Sequence, residues 1–195
     1  MEVNELDIAY GNYSYADYLT WSMDEMVELI KGKIYKMSPA PKKIHQKISW
    51  NLSREIGVHL KDKKCQAFSA PFDVRLPLKS RRNEDIFTVV QPDICIICDK
   101  EKLDDAGCIG APDIIIEILS KGNNKKELKN KYEVYEESGV KEYWIIHPEE
   151  QTLIINKLVD GKYIPSRLLT TGDEITTHIL PEFVLNLNDV FYNLD

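Results

Sequence analysis

The chain lacks any apolar run near the roughly 18 residues that a membrane-crossing helix needs, and it does not open on a charged-then-apolar leader. No membrane partner is expected, and a cytoplasmic location is. Cysteine is scarce: Cys65, Cys95, Cys98 and Cys108 form no paired CxxC motifs. The single CxxC spacing, Cys95 to Cys98, falls in an apolar run that reads as a strand. Side chains three apart on a strand point to opposite faces, which is poor geometry for one zinc. The cysteines are therefore read as reduced and without a metal role. GxxxxGK[ST], GxGxxG and HExxH are missing, which removes nucleotide-loop and zincin readings. A basic balance is missing too. The formal net charge of −7 argues against a tight, generic nucleic-acid coat protein. With no repeat, low-complexity run or long linker, residues 1–195 are expected to form a single domain.

What is present is a pair of Ile-rich runs that each carry a carboxylate: Gln91-Pro92-Asp93-Ile94-Cys95-Ile96-Ile97-Cys98, and Gly110 through Asp113-Ile114-Ile115-Ile116-Glu117-Ile118-Leu119-Ser120. Both are short and bounded by Pro or Gly, so they read as buried strands. An antiparallel register that sets Cys98 opposite Pro112 also sets Asp93 opposite Glu117. Opposed side chains lie about 4.5–5.5 Å apart at Cβ. Two carboxylates at that spacing repel unless a cation sits between them, and such oxygen ligands suit Mg²⁺ or Mn²⁺. The plainer alternative has both carboxylates ending their strands in water. Glu117 resists that reading because it interrupts an isoleucine run, and a buried carboxylate needs a partner, a metal or a raised pKa. Asp113 shares its strand face but lies roughly 13 Å from Glu117 at about 3.3 Å per residue, so it is assigned to starting the strand.

The remaining pattern is α/β. Lys31-Gly32 marks a hairpin within an N-terminal β segment. Ile44, Ile48, Leu52, Ile56 and Leu60 recur every fourth position and predict a helix over 41–61. Residues 67–78 alternate as one strand, with Asp73 and Arg75 on its polar face, and 99–110 reads as a polar loop. A second helix is expected over 125–138, ended by Gly139, with Leu128, Tyr132 and Tyr135 on its buried face and Lys131 sharing that face by its spacing of three and four from Leu128 and Tyr135. Strands follow at 140–147 and 153–158, with a hairpin at Asp160-Gly161 and an apolar tail that packs back on the core. Lys121, Lys125, Lys126, Lys129 and Lys131 cluster after the second carboxylate strand, and Lys79, Arg81 and Arg82 form a second basic group.

This order resembles the PD-(D/E)xK nuclease superfamily and, more narrowly, the Uma-type restriction endonuclease family. The resemblance runs from about residue 10 to 190. It is carried by Glu28-Leu29-Ile30-Lys31-Gly32, Met37-Ser38-Pro39-Ala40-Pro41, His45-Gln46, Gln91-Pro92-Asp93, Gly110-Ala111-Pro112-Asp113, Glu117-Ile118-Leu119-Ser120, Lys131 to Tyr135 and Gly139-Val140-Lys141-Glu142-Tyr143-Trp144. It implies a restriction-endonuclease-like core: a mixed central β-sheet flanked by helices, with extra β-hairpins in the N- and C-terminal parts. It also implies that Asp93 and Glu117 hold Mg²⁺ or Mn²⁺, with Glu28 as an additional metal-proximal acid. The superfamily's lysine, two residues after the second acid, is replaced here by Leu119, and Lys131 matches the variant in which that lysine has moved to the following helix. The segment Ser120-Lys121-Gly122 departs from the family's Ser-Pro-Ser, and Glu127 stands where an Asp is usual.

The expectation is a metal-dependent endonuclease hydrolysing phosphodiester bonds in DNA. Asp93, Glu117 and Lys131 are its catalytic set, and Lys121, Lys125, Lys126 and His45 its substrate contacts. Cutting both strands of a duplex calls for two active sites, so a two-fold homodimer is the expected assembly. The alternative is a module that keeps the nuclease fold for nucleic-acid or protein binding without cutting.

Overall fold

Two buried Ile-rich strands form the middle of the protein in the computed structural model, which describes residues 11–22, 26–37, 42–120 and 125–194, with only the backbone of 125–127. In chain order the strands begin with β1 (Val27–Ile30), β2 (Lys33–Lys36), β3 (Gln66–Ser69), β4 (Val74–Arg75) and β5 (Val89–Val90). Next come β6 (Ile94–Ile97), β7 (Leu103–Asp104), β8 (Gly107–Ile109), β9 (Ile114–Ile118) and β10 (Glu142–His147). The last are β11 (Thr152–Val159), β12 (Lys162–Pro165), β13 (Leu169–Thr170), β14 (Glu174–Thr177) and β15 (Leu180–Asn186). The helices are α1 (Tyr15–Tyr18), α2 (Lys43–Leu60), α3 (Lys125–Ser138) and α4 (Leu187–Val190).

Among the described residues the main sheet runs β12-β11-β10-β9-β6-β3, with β13 added to β11. It is mixed: β9 and β10 are parallel, whereas β6 pairs antiparallel with β9. The β6–β9 register is Ile94↔Ile116, Cys95↔Ile115 and Ile96↔Ile114. That is the expected register, and one step further it opposes Asp93 to Glu117. Alternation along these strands feeds two cores. Ile94, Ile96, Ile114, Ile116 and Ile118 pack with Ile48, Leu52 and Ile56 of α2. Cys95, Ile97 and Ile115 pack with Val134 and Tyr135 of α3 on the other face. Helix α2 thus buries the stripe that its sequence spacing set out, whereas on α3 Tyr135 and Val134 are buried and Leu128 and Tyr132 only half-buried. At the end of α3, Gly139 has φ +86°. The Val140 N–H donates to Tyr135 O and the Gly139 N–H to Glu136 O, which satisfies the last carbonyls.

A second sheet, β2-β1-β5-β4-β8-β7, lies beside the first. Its β1–β2 hairpin turns at Lys31 (φ 51°) and Gly32 (φ 76°), the left-handed pair that a two-residue turn requires. Much of this sheet departs from the sequence expectation. The single strand expected over 67–78 is two, β3 in the main sheet and β4 in the second, broken at Ala70-Pro71. Proline has no N–H for a ladder, so the chain leaves one sheet there and enters the other. Arg75 is not on a polar outer face. It is 4% exposed, donates from Nε to Cys108 O at 3.2 Å, pairs with Asp104 and lies over the Tyr15 ring. The stretch expected as a polar loop over 99–110 holds the β7–β8 hairpin.

The cysteine expectation is also corrected. Pairing of β3 with β6 sets Gln66 opposite Ile97. The next residues outward, Cys65 and Cys98, are joined by a disulfide, while Cys95 and Cys108 are free and buried. Spacing within one run could not reveal a partner 33 residues away. Among the described residues no helix is long and apolar enough to cross a membrane.

Candidate active site

Glu117 sits on β9 between two isoleucines, and strand alternation turns it toward α3. Its side chain is 11% exposed. Helix α3 brings Lys131 and Tyr135, one turn apart, down on the same spot. Lys131 Nζ donates to Glu117 Oε1 at 3.0 Å, and the Tyr135 hydroxyl donates to the same oxygen at 2.8 Å. Among the described residues both partners of Glu117 fall on Oε1.

Asp93 leads into β6 and is less enclosed. Its Oδ2 accepts the Ile118 N–H at 2.7 Å, while Oδ1 lies 3.2 Å from His45 Nε2 on the first turn of α2. Glu28, on β1, reaches the cluster from the second sheet. Its Oε1 is 2.9 Å from Lys131 Nζ and accepts the Gln91 N–H at 2.8 Å.

Three acids therefore converge on one lysine and one histidine. Burial pushes the Glu117 carboxyl up to about 7; the Lys131 ammonium opposes that shift, and the charges of Asp93 and Glu28 add to it. Burial works against the charge on Lys131 as well, but the carboxylates of Glu117 and Glu28 outweigh it and hold the ammonium well above the usual lysine range. Burial alone would lower the pKa of His45. Its bond to Asp93 and the charge there, assisted by Glu117, raise it instead. Beside His45 a cavity of ≈ 250 Å³ opens, lined by Lys42, Leu119, Ser120, His147 and Glu150 among others.

Of the residues singled out from the sequence, Asp93, Glu117, Lys131, Glu28 and His45 meet in one place. Lys121 lies outside the described residues. Lys125 and Lys126 open α3, and only their backbone is described. The sequence reading missed two partners. Tyr135 was visible only as part of a buried helix face, although its spacing of four from Lys131 signalled a shared target. Gln91 was named only within the Gln91-Pro92-Asp93 segment, which gives no sign that its backbone N–H reaches Glu28.

Among the described residues no group of three or more His, Cys, Asp or Glu side chains forms a ready cage. Mg²⁺ does not require one: it keeps several waters and is usually held by one or two carboxylates together with substrate phosphate. Asp93 and Glu117, one step beyond the Ile94↔Ile116 pair and close enough for the charge of Asp93 to push the Glu117 carboxyl up, fit that requirement.

A comparison with curated proteins gives no match. A crystal structure described as a putative nuclease belonging to DUF820, from Anabaena variabilis, superposes with a TM-score of 0.72 at 20% identity, covering 93% of this chain and 99% of that one. At that identity the likeness establishes the fold, a restriction-endonuclease-like core. The model of the Uma2 family, whose description is "Putative restriction endonuclease", matches residues 15–188. The chain belongs to the Uma2 family.

Proposed function

We propose that this protein is a divalent-metal-dependent endonuclease that hydrolyses phosphodiester bonds in DNA. The observation that carries the reading is the buried Lys131 of the following helix on Glu117 at 3.0 Å, with Asp93 bonded to the adjoining Ile118 N–H at 2.7 Å. Asp93 and Glu117 would hold the ion. When bound, Mg²⁺ or Mn²⁺ polarises the phosphate and lowers the pKa of its water. Lys131 keeps its proton and supplies a fixed positive charge, which suits it to stabilise charge developing on the phosphoryl oxygens or to orient the attacking water. Tyr135 holds Oε1 of Glu117 in place. His45 restrains Asp93 and borders the cavity that adjoins it. Lys121, Lys125 and Lys126 are assigned to the phosphate backbone, which positions a strand without reading its sequence. A two-fold homodimer would bring two such sites to the two strands of a duplex.

The test is cleavage of plasmid DNA by the purified protein. Activity is expected with Mg²⁺ or Mn²⁺ and not in a chelator, and is expected to be lost in Asp93→Ala and Glu117→Ala. Lys131→Ala should slow the chemical step while leaving ion binding largely intact. Replacing Lys125 and Lys126 by Ala should weaken binding and flatten its salt dependence, by about 0.9 in log–log slope for each lost phosphate contact. Cleavage that survives Asp93→Ala unchanged would overturn the assignment.

One feature favours a second reading, a nuclease-fold module that binds without cutting: Leu119 stands where the superfamily carries its lysine. A protein that binds DNA and Mn²⁺ yet never cleaves would establish that reading.

A further inference from the structure

We infer that Glu28 is a positioning residue for Lys131 rather than a ligand of the ion. The inference rests on the phosphodiesterase reading for its catalytic consequence and on geometry alone for the contact itself. Both described contacts of Glu28 fall on Oε1: the Lys131 ammonium at 2.9 Å and the Gln91 N–H at 2.8 Å. Its side chain is 3% exposed, against 20% for Asp93. An acid that shares an ion with incoming substrate must be reachable, and Glu28 lies on the second sheet, with Lys131 between it and Glu117.

Charge counting leads to the same division of labour. Glu28, Asp93 and Glu117 carry three negative charges when ionised. With His45 neutral, Lys131 supplies one positive charge, and a divalent ion supplies the other two. A buried ion pair is tolerated only when its charges are matched and hydrogen-bonded, and the arrangement is matched if Glu28 belongs to Lys131 while Asp93 and Glu117 belong to the ion.

Glu28 also answers a problem that Glu117 creates. Lys131 and the proposed ion both use the Glu117 carboxylate, and two cations on one carboxylate repel. Without a second anchor, ion binding would drive the ammonium away from the site where it is needed. Glu28 supplies that anchor from another element, and its bond to the Gln91 N–H ties the anchor to the segment that leads, two residues later, to Asp93.

The experiment compares wild type, Glu28→Gln, Lys131→Ala and the double variant as full-length protein. Glu28→Gln should lower kcat about tenfold or more with KM nearly unchanged, and should add little on top of Lys131→Ala, because residues acting as one unit are non-additive. A purely structural role would multiply with the loss of Lys131. Mn²⁺ affinity should stay within about threefold of wild type, far from the loss in Asp93→Ala. A readout independent of activity is amine labelling by acetic anhydride, followed by mass spectrometry. Lys131 should be protected in wild type with Mn²⁺ and labelled faster in Glu28→Gln. If Glu28→Gln does not fold, Glu28→Asp keeps the charge but shortens the reach, and should show the same loss of kcat and protection.

Unchanged kcat and labelling, multiplicative effects, or a Mn²⁺ loss as deep as that of Asp93→Ala would each overturn the inference. If wild type does not cleave, or Asp93→Ala still does, the phosphodiesterase reading fails instead. The labelling of Lys131 then decides alone whether Glu28 holds it.

Discussion

The carboxylate of Asp93 accepts the backbone N–H of Ile118 at 2.7 Å, so the first acid is fastened to the strand that presents the second. Ile118 follows Glu117 directly. The spacing of the two acids is therefore set by the β6–β9 ladder itself, with no flexible loop between them. Rigid placement of this kind is what a site needs if its ligands are to lie ready before the ion arrives.

Metal binding should therefore appear as stability. With Mn²⁺ at about one hundred times its dissociation constant, folding gains about 2.7 kcal/mol, or about 5–10 °C in Tm for a chain of this size. Thermal unfolding of wild type with and without Mn²⁺ should show the shift. Asp93→Ala should remove it. An equal shift in that variant would place the ion elsewhere.

The metal-free protein should lose stability as pH rises. Glu117 has its carboxyl raised from 4.5 to about 7, so the folded state holds this proton more tightly than the unfolded chain does. The site is therefore most favourable below the ordinary value and becomes less so as pH climbs toward 7. His45, also raised, contributes stability below its ordinary 6.5 that is lost as pH passes its folded value. Both effects have the same sign. Urea unfolding between about pH 5 and about pH 8 should show falling stability in chelator, a shallower fall in Glu117→Gln, and a shallower fall in wild type with Mn²⁺. A slope unaltered by Glu117→Gln would mean that this carboxyl is not the source.

Asp113 should show the opposite dependence. Burial pushes its carboxyl up, but hydrogen bonds from Lys141 Nζ at 2.6 Å and the Cys98 N–H at 2.8 Å prevail and lower it. Its contribution is present above the ordinary 3.8 and is lost as pH falls through the folded value. Asp113→Asn should cost about 1–3 kcal/mol at neutral pH and progressively less at acid pH, below the lowered folded value of the wild-type group. Equal losses at neutral and acid pH would show that the ionised form is not what matters.

The parts of the site that could be read from the sequence were those governed by short-range periodicity. Strand alternation and one assumed register were enough to oppose Asp93 to Glu117, and helical spacing put Lys131 on the buried face of 125–138. Asp113 was legible as a strand-starting residue for the same reason. What escaped depended on a change of partner. The apolar alternation of 67–78 continues unbroken through Pro71 and so masks that proline, the local sign that β3 and β4 belong to different sheets. The place of Glu28 depends on that second sheet, which delivers β1 to the far side of Lys131. Arg75 was misplaced likewise: a charge on an alternating strand reads as solvent-facing until Asp104 and Tyr15 are seen to cover it.

The cysteines give the last prediction, and it turns on the same kind of long-range pairing. Cys65 and Cys98 flank the β3–β6 ladder and are bonded to each other. Cys95 and Cys108 remain as thiols, and burial raises both, Cys108 to about 11. A thiol so raised is almost wholly protonated at neutral pH and unreactive while folded. The native protein should thus give almost no fast reaction with a thiol reagent, and the protein denatured without reductant should give two thiols. Reduction should raise that count to four and lower stability by about 3–4 kcal/mol, the chain entropy released on opening a loop of this length. Cys98→Ser should reproduce the loss, and reductant should then change its stability no further. Four thiols in the unreduced, denatured protein would show that the bond does not form and would return all four cysteines to the reduced reading.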